Sequence, residues 1–181
     1  MQTFETARLL MRPLQPEDKS FYCTCYTDPV LMQHIGKPLS HEAASRSFSV
    51  ALKIATEIPI RRYTWVMQEK QSNASIGLLA LIVGKTKAEP FNAELGNIML
   101  TAFQNQGFTV EALSQLVDLV FSTTRLNGLL ANHEIQNSAV NRVMKKLGFS
   151  NDMSISPEIS ERCWILSRSC WQTFELKSTS T

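Results

Sequence analysis

The order of periodicities along the chain predicts an α/β fold. A run of strand-like segments comes first, then strand, helix, strand, helix and strand in alternation, which is the signature of one mixed sheet with helices on its faces. Size and composition agree: 181 residues suit one compact domain, and 44% hydrophobic residues supply a core. No repeat, low-complexity block or Pro/Gly-rich linker divides the chain. We therefore expect one domain over 1–176 and a polar tail over 177–181, ending "KSTST".

The elements follow in order. "ARLLMRPL" reads as an opening strand that stops before a turn. Pro16 suits the first turn of a helix, and the acids Glu17 and Asp18 are favoured there by the helix dipole. That helix ends near "TDP". Ser40 is a cap for a second helix with Ala44, Phe48, Ala51, Leu52 and Ala55 on one face. The period then changes to two, with Tyr63, Trp65 and Met67 alternating with more polar neighbours. "IGLLALIV" is apolar throughout, as a central strand covered on both faces should be. "KTKAEP" makes a turn into "AELGNIML", a further strand. A helix over about 107–124, a strand over 128–135, a helix over 138–147 and a strand around 162–167 complete the order.

Charge and cysteine usage exclude several classes. Eighteen Lys and Arg against 16 Asp and Glu leave +2, which gives no warrant for nucleic acid or an anionic membrane as partner. The longest apolar run, Leu78 to Val83, is too short to span a bilayer, and no secretory signal opens the chain. The four cysteines form no CxxC. On a helix, Cys23 and Cys25 would point roughly 200° apart, so a shared metal is disfavoured and no metal is expected. Packed thiols and a reducing, cytoplasmic setting are the expectation.

The chemistry concentrates at "QNQGFTVEAL". From Gly107 the apolar residues Leu113, Leu116, Val117, Val120 and Phe121 recur at helical spacing. The first turn of that helix has amides without intrahelical partners, and glycine lets a ligand approach the backbone closely. Gln104, Asn105, Gln106, Gly107, Phe108 and Thr109 can thus form an anion-binding nest, or can be an ordinary helix start. Downstream, Asn137 can cap a helix whose inner face is Val140, Val143, Met144 and Leu147, ended by Gly148.

Together these segments resemble the GNAT acetyltransferases, whose phosphate loop reads Q/R-x-x-G-x-G/A after a strand; here it is Gln104 to Thr109. "FETARLLMRPLQPED", "NSAVNRVMKKLGF" and "CWILSRSCW" are similar to the opening, the second signature and the closing strand of the RimJ/RimL branch, which includes ribosomal-protein N-terminal acetyltransferases. The resemblance covers roughly 3–172. It implies a mixed, mostly antiparallel sheet of about seven strands, splayed between the fourth and fifth by a bulge in "ELGNIML". It also implies acetyl-CoA as acyl donor and direct attack by a primary amine on the thioester. Ile98, Met99 and Leu100 would pair with the pantetheine arm, Gln104 to Thr109 would cradle the diphosphate, and Asn137 would bind near the pantetheine. The backbone of Asn97 to Met99 would donate to the thioester oxygen.

Two residues depart from the pattern. Thr109 stands where Gly or Ala is expected, and Val140 occupies a serine position that in some relatives is a candidate acid for the departing thiolate. For the base, Glu94 is the first candidate and Glu134 the rival, with exposed strand-end carboxylates as the alternative reading. His133 should face away from Glu134 across the strand, and it, His34 and His41 are read as packing or surface. Phe21, Tyr22, Tyr26, Tyr63 and Trp65 are either core or acceptor-pocket lining. "DPVLMQHIGKPLS" is the expected acceptor wall. Lys37, Arg61 and Arg62 are read as solvating charges, with attraction of acidic groups as the alternative.

The leading function is an acetyl-CoA-dependent N-acetyltransferase acting on a protein N-terminal amine, as monomer or homodimer. The alternatives are a small-amine acetyltransferase and a non-catalytic acyl-CoA-binding protein. An RNA-associated factor is disfavoured by charge.

Overall fold

In a computed structural model the described residues are 3–56, 61–84, 92–151 and 161–171. Their elements are β1 Phe4–Glu5, β2 Leu9–Pro13, α1 Lys19–Thr27, α2 Pro29–Met32, α3 His41–Ile54, β3 Arg62–Glu69, β4 Ser75–Val83 and β5 Asn92–Met99. After these come α4 Phe108–Thr123, β6 Gly128–Glu134, α5 Ser138–Lys146, β7 Ser150–Asn151 and β8 Glu161–Ser167. All the expected strands and helices are present. The turn "KTKAEP" and the tail lie outside the described residues. Three elements were not foreseen, and each is too short to carry a period: β1 and β7 have two residues apiece, and α2 has four.

Local chemistry explains the boundaries. Pro16 opens a 3-10 turn ahead of α1, and Asp18 closes it by accepting from the Gln15 amide at 2.8 Å. Asp18 is buried against Arg12, which grips both its oxygens at 2.7 Å. Ser40 caps α3 through the Ala43 amide at 3.2 Å, Asp28 caps α2, and Asn137 caps α5 through the Val140 amide at 3.2 Å.

The eight strands form one sheet in the order β1-β2-β3-β4-β5-β6-β8-β7. Every neighbouring pair is antiparallel except β5 and β6, which are parallel. Because successive strand residues face opposite sides, the sheet carries two cores. One, under α4 and α5, gathers Met11, Leu79, Leu95 and Leu129 against Leu113, Leu116 and Val117. The other, under α1 and α3, gathers Val66, Leu78 and Ile98 against Tyr22, Cys25 and Phe48. β4 feeds both, as a strand without polar alternation must.

The decisive feature is where pairing stops. β5 and β6 pair only at Asn92↔Gly128, Ala93↔Leu129 and Glu94↔Leu130. Both strands continue beyond that point, β5 to Met99 and β6 to Glu134, without pairing to each other. These are the fourth and fifth strands of the sequence reading, renumbered by β1. The expected bulge is not at this place, for the β4–β5 ladder keeps one register from Val83↔Ala93 to Gly77↔Met99. The irregularity lies instead between β3 and β4, where Met67 pairs with Gly77 and Gln68 with Ser75, leaving Ile76 as the extra residue. It turns Ile76 toward the α4 core although Leu78 faces the α1 core. Gly77 is required there: a Cβ on it would come within 2.4 Å of the Ile98 carbonyl oxygen.

Candidate active site

The gap between β5 and β6 opens into a cavity of about 1340 Å³. Its walls are the free ends of the two strands, the first turn of α4, the inner face of α5, and the segment around α2. Ile98, Met99, Gln104, Asn105, Gly107, Phe108, Thr109 and Asn137 all line it, as do Glu94 and Glu134. Leu100 and Gln106 are not part of this lining. The Leu100 amide donates to the Ile76 carbonyl at 2.9 Å, and the Gln106 side chain turns back to the Ala102 carbonyl at 2.8 Å.

Backbone parity says which groups of β5 meet the gap. Asn92 and Leu100 bond toward β4, through Gly84 and Ile76. Strand alternation therefore turns the even residues, Ile98 among them, to β4 and leaves the backbone of Asn97 and Met99 facing the gap. The Met99 carbonyl already receives the Gln104 side-chain amide at 2.9 Å, which ties the loop to the strand end.

The doorway of α4 is built by two left-handed residues, Asn105 at φ 60° and Gly107 at φ 83°. No side chain caps the helix, and its first intrahelical bond runs from the Glu111 amide to the Gly107 carbonyl at 3.1 Å. The amides of Phe108, Thr109 and Val110 therefore remain for a ligand. Beside them lies Arg8, which sequence reasoning missed. Its guanidinium donates to the Gln106 carbonyl at 3.1 Å, to Glu111 at 2.6 Å, and stands 4.3 Å over the Phe108 ring. Burial works against ionised Glu111, but bonds from Thr6, the Arg8 amide and the Arg8 guanidinium outweigh it and hold its carboxyl below the ordinary range. Nothing local in "TARLL" announces this contact, because it joins residues 103 apart in the chain.

The two carboxylates share one face. Glu94 is level with Leu130 on β6, and Glu134 lies two alternations further along the same side. Glu134 meets His34, just beyond α2, at 3.0 Å. That contact carries the α2 segment across to the end of β6, so Val30, Leu31, Gln33, His34 and Ile35 of "DPVLMQHIGKPLS" line the cavity, and His34 is more than surface. His133 faces the other way and is buried; it accepts the Trp164 indole N–H at 2.8 Å, and burial pushes its pKa down. Of the aromatic residues considered, Tyr22 and Trp65 are core, whereas Tyr26 lines the cavity. Asn137 spends its side-chain oxygen on the α5 cap, leaving its NH2 group as the atom able to donate to a ligand. Val140 lines the cavity and packs on the core.

Three of the four thiols are packing residues, and Cys170 is exposed. Cys23, Cys25 and Cys163 are buried, and burial pushes the Cys25 thiol up to about 12. Among the described residues, no group of three His, Cys, Asp or Glu side chains could hold a metal, and no helix is long and apolar enough to cross a membrane.

This arrangement has known counterparts. The chain is 23% identical over 154 residues to the uncharacterized N-acetyltransferase p20 of Bacillus licheniformis, covering 84% of each protein. Its fold superposes with TM-score 0.77 on spermidine N-acetyltransferase from Vibrio cholerae, solved with CoA and spermine, at 16% identity and 92% and 99% coverage. Ribosomal-protein-S5-alanine acetyltransferase from Vibrio fischeri gives 0.75 at 14% identity, covering 94% and 99%. The family profile described as acetyltransferase (GNAT) domain matches residues 8–150. A sheet parted after three parallel pairs, an uncapped helix facing the gap and that match together make this chain a member of the GNAT acetyltransferase family.

Proposed function

We propose that the protein transfers an acetyl group from acetyl-CoA directly to a primary amine. The diphosphate of the donor lies on the amides of Phe108, Thr109 and Val110, with Arg8 adding positive charge beside Gly107. The pantetheine arm runs along the open edge of β5, where Asn97 and Met99 offer strand-like pairing, and the Asn137 side-chain NH2 donates nearby. The acceptor enters from the side walled by α2. Its nitrogen attacks the thioester carbon, the C–S bond breaks, and the thiolate leaves as free CoA after protonation. Glu94 receives the proton lost by the amine, directly or through water, with Glu134 as the alternative acceptor. Val140 has no proton to give, so protonation of the thiolate falls to water.

The observation that carries this reading is the parting of β5 and β6 beside an uncapped helix start: unpaired strand edge and unpaired helix amides face one cavity. The His34–Glu134 contact favours a small amine over a protein N-terminus, because it joins the two walls between which a peptide would cross. The test is release of free thiol from acetyl-CoA against a panel of small amines and N-terminal peptides, with CoA binding measured by calorimetry in parallel. Release with small amines and not with peptides is expected. Tight CoA binding without release from any acceptor would select a silent acyl-CoA-binding protein, the reading that Val140 supports.

A further inference from the structure

Arg62 opens β3 on the face that looks toward α1 and α2. Its register partner is Ile82, and that of Ile82 is Glu94, so Arg62 and Glu94 stand in one row across three strands. With neighbouring strands about 4.8 Å apart, their backbones are about 10 Å from each other. Arg62, Thr64, Ala80 and Gly96 line the same cavity as Glu94. Arg62 is half-buried, whereas Arg61 is exposed.

The partners of Arg62 differ from those of Arg12 and Arg168; Arg162 shares its unpartnered buried Nε but donates through its guanidinium to the Asn141 side-chain oxygen at 3.0 Å. Arg12 has both oxygens of Asp18, and Arg168 has the carbonyls of Phe121, Thr124 and Leu126. The buried Nε of Arg62 has no hydrogen-bond partner, and among the described residues the guanidinium makes no salt bridge. Its neighbour in the cavity lining is the hydroxyl-bearing Tyr26, a neutral residue on which Arg62 acts electrostatically. Burial pushes the Tyr26 pKa up, with Tyr22 adding to the shift and Arg62 opposing it, so the phenol keeps its proton and can donate. A half-buried cation that lines a cavity beside a neutral donor, with a buried Nε left unpartnered, suits an anion.

We infer that the acceptor amine carries an anionic group, a carboxylate or a phosphate a few bonds from the nitrogen, and that Arg62 with the Tyr26 hydroxyl reads it. The inference rests on the acetyl-transfer reading above and names the class of its acceptor. The amine then lies toward Glu94 and the gap, and the anion toward β3. Such an acceptor is zwitterionic, as free amino acids and aminoalkyl phosphates are. A protein N-terminus has no anion at a fixed short distance from its nitrogen.

The test uses the full chain and matched acceptors: amino acids against their amides, and phosphoethanolamine against ethanolamine, with rates compared per neutral amine. The anionic member is expected to have the higher kcat/KM by about tenfold or more, the range that a charge-assisted hydrogen bond supplies. Arg62→Gln should drive that ratio toward one, and Arg62→Lys should retain part of it. Calorimetric CoA binding reports that each variant is folded. If Arg62→Gln fails to fold, Tyr26→Phe and the wild-type ratio decide, the former lowering the preference by a smaller factor. Equal or better rates with amides, ethanolamine or polyamines would overturn the inference while leaving acetyl transfer intact, as would a preference that survives loss of Arg62. CoA binding without thiol release from any acceptor would overturn the transfer reading itself, and this inference with it.

Discussion

Gly107→Ala probes the doorway of α4 through its backbone. Gly107 sits at φ 83°, and a Cβ there would lie 3.4 Å from a terminal nitrogen of Arg8, the mobile end of a side chain. Space is therefore a small part of the effect; the left-handed conformation is the larger, costing an L-residue about 1–2 kcal/mol. That strain must appear somewhere. If the free loop keeps its shape, the strain lowers folding stability; if the loop relaxes, the amides of Phe108 to Val110 swing away and CoA must restore them. The losses in folding and in binding should then sum to about 1–2 kcal/mol, and a loss borne wholly by binding is about 5- to 30-fold in Kd. Gly107→Asn should recover most of both, since asparagine tolerates this region, as Asn105 does two residues earlier. Urea unfolding gives one half of the sum and calorimetry with CoA the other. Pantetheine, which lacks the diphosphate, is the control ligand and should bind both forms alike. Were alanine to change neither stability nor affinity, or to weaken pantetheine as much as CoA, the diphosphate would not rest on this turn.

Glu94→Gln should lower kcat by about a hundredfold if the carboxylate takes the amine proton, with CoA affinity kept; an unchanged rate across pH moves the role to Glu134 or to water. Asp18→Asn leaves the Arg12 guanidinium without its counter-charge in a site where Asp18 is 6% exposed, so urea unfolding should show a loss of about 3 kcal/mol. A loss below about 1 kcal/mol would mean that the pair is solvated like a surface one. The lowered pKa of Glu111 predicts acid sensitivity. Its stabilising effect is complete above the unfolded value of 4.5 and is lost as pH falls through the lower folded value, so Glu111→Gln should flatten the acid limb of a stability–pH curve. An identical limb in the variant would place the sensitivity elsewhere.

Much of the fold was legible because its signals are local. The spacing of Leu113, Leu116, Val117, Val120 and Phe121 needs no tertiary context to specify a helix, nor do the caps at Ser40 and Asn137. "IGLLALIV" announced a strand covered on both sides, and it stands fourth among eight. The elements without warning were those of about one period in length, too short for a repeat to show. The bulge was misplaced for a related reason: an extra residue at Ile76 is visible only once Met67 and Gln68 have found their partners.

The site divides along the same line. By itself the sequence determined the glycine turn that starts α4, since glycine, helical spacing and a preceding strand are contiguous over "ELGNIMLTAFQNQGF". It also determined the strand order that a family resemblance could extend to a parted sheet. Only the tertiary structure decided that Arg8 stands beside that turn, that His34 reaches Glu134 across 100 residues, and that Arg62 faces a cavity while Arg61 faces water. The reason is physical: helix and strand propensity act through neighbours a few residues apart, whereas the surroundings of a charge depend on which distant strands pack beside it.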